Sequence, residues 1–107
     1  MAIGGCVALT PTPGSTVTIG IDTSARVNLA SWTAAQAETV NISGTPQDGQ
    51  RLVVLITNDN SSRTITFGTG LSAASTVVGV ASKKSLIEFI ALGGKFYESS
   101  RIVGTLT

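Results

Sequence analysis

The side chains able to do chemistry are few: the 107 residues include seven Lys and Arg, six Asp and Glu, one Cys and no His. Without histidine there is no imidazole base, and a single cysteine supplies neither a Cys–His nucleophile pair nor a Cys/His zinc set nor an intrachain disulfide. Asp22, Asp48 and Asp59 sit among turn-forming residues and Glu38, Glu88 and Glu98 are scattered, so no carboxylate pair is spaced for glycoside hydrolysis. Asn58-Asp59-Asn60 offers oxygens to Ca²⁺ but lacks the spaced acidic pattern and distal Glu of a calcium loop, and reads as a turn. Gly68-Thr69-Gly70-Leu71-Ser72-Ala73 has G-x-G-x-x-A spacing, and Glu88 stands where the ribose-binding acid of a dinucleotide site would fall. The segment from Ala74 to Val80 is poor in helix formers, however, and the chain is too short for a βαβαβ unit, so these glycines read as a loop between strands. The expectation is a non-enzyme with no catalytic, cofactor-binding or metal-binding residues and no cofactor.

Other features have plain readings. Cys6 is a small apolar residue, and Trp32 and Tyr97 are core or interface aromatics before they are sugar platforms. Asn41-Ile42-Ser43 and Asn60-Ser61-Ser62 fit the glycosylation sequon, but the opening MAIGGCVALTPTPG has neither a charged n-region nor a long apolar run. No membrane partner is therefore expected. A net charge of +1 without clustered Lys or Arg argues against a nucleic-acid partner as well.

The elements that hold these residues are strands. Thr numbers 15, Val 10, Ile 9 and Leu 8, and this β-branched excess favours sheet. In TVTIGI, Val17, Ile19 and Ile21 share one face; Val27 and Leu29, Val40 and Ile42, and Ile65 and Phe67 alternate in the same way. Leu52 to Ile56 is apolar at every position, which predicts a central strand covered on both sides, by a second sheet or by a neighbouring subunit. Asn58 to Ser61 predicts a hairpin loop, and Gly93-Gly94 predicts a tight primed turn between Leu86–Leu92 and Lys95–Ser99, with a last strand near Arg101 to Leu106. Thr33 and Gln36 have capping-box spacing, which allows at most one short helix near Ser31–Glu38.

These signals, with no internal repeat visible in the residues, predict an all-β fold: an antiparallel β-sandwich of jelly-roll type with about eight strands. Residues 16–107 form the single sandwich domain. Residues 1–15, broken by Pro11, Pro13 and Gly14, form an N-terminal arm or edge strand whose Ile3, Val7 and Leu9 would contact a partner. Charged residues make up only 12% of the chain and mean hydropathy is +0.36, which implies buried faces beyond one small core, hence a homo-oligomer or a subunit of a larger assembly.

The ordered set Gly44-Thr45-Pro46-Gln47-Asp48-Gly49-Gln50, the LVVLITN strand, Arg63-Thr64-Ile65-Thr66-Phe67 and Gly93-Gly94-Lys95-Phe96-Tyr97-Glu98 resembles small β-sandwich modules of tailed-phage virion proteins. The resemblance covers about Val40 to Arg101, a little over half of the chain. It implies a trimeric capsid decoration (cement) protein on the virion surface, made in the host cytoplasm and contacting the major capsid protein. The alternative it carries is a tail-fibre or baseplate head that binds a host receptor. No site residues come with it.

Overall fold

The computed structural model describes residues 5–107. Among the described residues the regular elements are all strands, joined by turns and loops. It runs β1 (Cys6–Leu9), β2 (Thr16–Gly20), β3 (Val27–Ala34), β4 (Glu38–Ser43), β5 (Arg51–Asn58), β6 (Thr64–Phe67), β7 (Leu71–Ser72), β8 (Val77–Val78), β9 (Lys84–Leu92) and β10 (Lys95–Leu106). A six-stranded sheet has the order β1-β3-β5-β9-β10-β7, and a four-stranded sheet has the order β2-β4-β6-β8.

Odd and even strands from β1 to β6 alternate between the two sheets, and within each sheet they pair parallel. The chain therefore winds through three rungs of a β-solenoid-like stack. Like residues lie above like: Val17 pairs with Val40 and Val40 with Phe67, while Ala30 pairs with Val54 and Trp32 with Ile56. Inward residues of both sheets form one core that includes Val17, Ile19, Val40, Leu52, Val54, Ile87 and Phe89, all fully buried. Phe67 meets Phe89 edge to face across that core, with ring centroids 5.2 Å apart.

The stack ends in antiparallel structure. The β9–β10 hairpin inserts beside β5, with Gly93 and Gly94 at φ 64° and 80° as a primed turn requires, and the short β7 is displaced to the far side of β10.

The expected antiparallel jelly-roll sandwich is thus corrected: the fold is all-β, but it has ten strands in two mixed sheets, stacked largely parallel. A repeat is present in the structure. Cys6 pairs with Val27 and Val27 with Arg51 in the larger sheet, and Thr16 with Thr39 and Thr39 with Thr66 in the smaller one. Each pairing advances the chain by one rung, and the advance from Thr39 to Thr66 is longer than that from Thr16 to Thr39 because the intervening turns differ in length.

Two local expectations change with it. No helix forms at Ser31–Glu38: Val27 to Ala34 pairs along its whole length with β5, which buries Trp32 and Ala34 and outweighs a weak capping-box preference. The Asn58–Ser61 segment is an arc between sheets and not a hairpin, because β5 and β6 lie in different layers. There Asp59 receives Arg63 at 2.8 and 3.0 Å and the amide of Ser61, while the buried Asn58 donates to the Ser61 carbonyl. The two strands expected after Gly94 are one, β10, with a register shift between Glu98 and Ser100.

Candidate functional site

The acidic residues and the glycine-rich run are engaged in holding the fold, while Cys6 is free and exposed. The glycines of the G-x-G-x-x-A run turn the chain after β6, where Asn41 Oδ1 accepts the Thr69 amide at 2.8 Å. A Cβ on Gly68 would lie 2.3 Å from that same oxygen, so the residue is glycine for lack of space. All six carboxylates have structural partners. Asp22 binds Ser24, Asp48 binds the Gly93 amide, Asp59 binds Arg63, Glu88 binds Arg51 at 2.6 Å, and Glu98 binds Arg101 and the Ala74 amide. The hydrogen bonds from Ser24, Arg63 and Arg101 hold the Asp22, Asp59 and Glu98 carboxyls below the ordinary carboxylate range.

Glu38 is the deepest acid. It accepts the Trp32 indole N–H at 2.7 Å and the Gly14 amide at 3.3 Å, tying the first rung to the second. Among the described residues, no three Cys, Asp or Glu side chains gather as a metal site would need.

A polar recess of about 360 Å³ lies beside the turns Thr23–Arg26 and Gln47–Gln50. Its buried Gln50 donates to the Asp22 and Ala25 carbonyls at 2.6 Å, and Asn28 exchanges hydrogen bonds with Asp22, so these polar groups lock successive turns together.

The outward face of the six-stranded sheet is of a different kind. Pairing places Leu29 beside Val53, Leu55 beside Leu86 and Leu86 beside Ile102, and Arg51 beside Ile90 and Ile90 beside Tyr97. All of these side chains point away from the core. Leu29, Ile90 and Ile102 are 39%, 37% and 47% exposed, while Val53, Leu55 and Leu86 are half-buried by one another. Ala8, Leu29, Ser31, Val53, Leu55 and Leu86 bound a shallow groove of about 280 Å³ across this field. Of the charges within the face, Arg51 pairs with Glu88 and Lys84 donates to Thr57 Oγ1, while the exposed Lys95 beside Leu92, at the hairpin end, makes no ion pair among the described residues. A field of aliphatic side chains whose central charges are paired is unfavourable in water and suited to packing against another protein.

Sequence reasoning reached part of this face. The unbroken apolar run Leu52–Ile56 divides into Leu52, Val54 and Ile56 inward and Val53 and Leu55 outward. The same signal in Leu86–Leu92, where both parities are largely apolar, places Leu86 and Ile90 outside, and it was legible only once the sheet assigned the faces. Of the proposed arm residues, Ile3 lies outside the described residues; Val7 and Leu9 lie half-buried in β1, paired with Asn28 and Ala30, and Leu9 packs on the core.

Neither a protein-family model nor a curated protein sequence matches the chain. Neither comparison links the chain to virion or capsid proteins.

Proposed function

We propose that the protein is a non-enzymatic structural subunit that acts by self-association through the outer face of its six-stranded sheet, forming a homotrimer. The observation that carries this reading is the aliphatic field of Leu29, Val53, Leu55, Leu86, Ile90 and Ile102, whose central charges, Arg51 and Glu88, are paired with each other. The centre of the field offers a charged partner little to recognise, whereas another copy of the same apolar surface buries it with Lys95 left at the hairpin end, where it can stay in water. The number three, and the virion as the setting, rest on the sequence resemblance alone.

The test is molar mass by light scattering at micromolar concentration. The native chain should have the mass of a trimer or, where trimers pair further, of two trimers, and Leu55→Lys with Leu86→Lys should lower the mass while circular dichroism remains that of a folded β protein, because these side chains lie outside the core. A native protein without self-association, or a double variant with unchanged mass, refutes the use of this face.

A further inference from the structure

The two ends of the stack are built differently. At the far end the outermost strands are short, β7 and β8 having two residues each, and the Glu98–Arg101 ion pair sits there with Arg101 also bonded to Ser75 and Thr76. Short edges and charges are the usual protection against strand pairing. The first rung has neither. Its strands β1 and β2 are the outermost strands of both sheets, and residues 1–21 contain no Asp, Glu, Lys or Arg.

Backbone alternation shows what that end presents. The Gly5 carbonyl accepts the Val27 amide, so in a parallel ladder Val7 and Leu9 also bond to β3, and the N–H and C=O of Cys6 and Ala8 point to the free side. Likewise Ser15 accepts from Thr39 and Ile21 donates to Ser43, so Val17 and Ile19 bond to β4, and Thr16, Thr18 and Gly20 turn their amides and carbonyls outward. Among the described residues nothing accepts from or donates to these groups. In β1 the side chains are also less covered, Val7 and Leu9 being half-buried where Asn28 and Ala30 on the next rung are fully buried, although Val17 and Ile19 of β2 are already fully buried.

We propose that this end is a second interface, at which the first rungs of two copies pair edge to edge about a twofold axis perpendicular to the stack. A twofold brings each open strand antiparallel to an open strand of the other copy, the arrangement in which both rows of free amides and carbonyls are satisfied. Three features select a second copy as occupant. The rung has no charge with which to choose a charged partner. Both sheets are open at the same end, as an isologous contact between two-layered ends requires. The edges also match: a twofold sets the four residues of β1 against the same four of the other copy and the five of β2 against the same five, so neither edge overhangs its partner.

This end is a different surface from the proposed trimer face, and one set of variants separates the two. Thr18→Pro removes an outward amide and no internal ladder bond, whereas Val17→Pro removes an internal one. Light scattering of Thr18→Pro should show half the native mass, with a dimer dissociation constant raised at least tenfold in dilution series. Thr18→Lys, which keeps the amide and places a charge beside the edge, should weaken the same contact and guards against a folding defect in the proline variant. In the Leu55→Lys/Leu86→Lys background the end contact alone should give a dimer, and adding Thr18→Lys should give a monomer. A monomeric face variant overturns the end contact and leaves the trimer untouched; a native dimer abolished by Thr18→Lys supports the end contact and refutes the trimer.

Discussion

On the outside of the four-stranded sheet stand Thr16, Thr18, Thr39, Asn41, Thr64 and Thr66, and Val78 at the far edge is the one bulky aliphatic residue among them. On the outside of the six-stranded sheet Leu29, Val53, Leu55, Leu86 and Ile90 stand among Ser31, Thr33, Thr57 and the Arg51–Glu88 pair. Both sheets use the same alternation to fill one shared core, so the inward half of each pattern carries no information about surroundings. The outward half does. Threonine satisfies strand preference while keeping a hydroxyl in water, so one sheet is finished as a surface; the other sets a contiguous group of aliphatic side chains among its outward polar ones, which water solvates poorly.

That contrast can be broken from three directions. The largest effect lies at the core the sheets share. Phe89→Ala removes a fully buried ring that packs on Phe67, and should lower unfolding free energy by about 3–5 kcal/mol in a denaturant titration. An intermediate effect falls on the outer face of the six-stranded sheet, where Leu55→Lys and Leu86→Lys should change mass far more than they change the fold. The same chemistry on the other sheet should be nearly silent. Thr66→Lys adds a charge to an exposed position and should leave both mass and stability close to native, the latter within about 0.5 kcal/mol. A loss of assembly in Thr66→Lys equal to that in Leu86→Lys would mean that the chemistry of the two outer faces does not decide how the protein associates.

Much of the inward structure was legible in the sequence, because side-chain period depends only on the strand itself: Val17 and Ile19, Val40 and Ile42, and the Gly93-Gly94 turn are where alternation and turn chemistry put them. The neighbours of each strand were not legible. Asn58 to Ser61 has the composition of any tight turn, and nothing in those residues says whether the chain returns in its own sheet or crosses to the other. The difference is made by long-range contacts such as the Asp59 amide bonding to Ala34 of the preceding rung. The solenoid repeat was hidden for a related reason. Turns of unequal length make its steps unequal, and side-chain identity across rungs is largely confined to the smaller sheet, where TVTIG lies over TVNIS; in the larger sheet VNLASWTA lies over RLVVLITN and keeps only the apolar pattern and one threonine. The candidate face was half legible, since a strand apolar at every position announces apolar side chains on both faces without saying which face this chain's own core covers.

The smallest expected effect is on pH dependence, and it separates the polar turns from the apolar face. Asp22, Asp59 and Glu98 all have folded carboxyl groups held below their unfolded values of 3.8, 3.8 and 4.5, by Ser24, Arg63 and Arg101 respectively. A depressed carboxyl stabilises the fold fully above its unfolded pKa, and that contribution is lost as pH falls through the folded one. The thermal midpoint should therefore be level above about pH 5 and decline below about pH 4, gently, because Asp22 and Asp59 are only half-buried and water screens their partners. Asp59→Asn should flatten part of that acid limb and leave the midpoint near neutrality only slightly lower. Association through the outer face draws on Leu29, Val53, Leu55 and Leu86, none of which titrates, and the chain has no histidine. Molar mass should accordingly stay constant from about pH 5 to 8, while salt, which strengthens apolar burial when kosmotropic, tightens the contact. A mass that fell across that pH range would place an ionisable group at the centre of the interface and move the contact away from the aliphatic field.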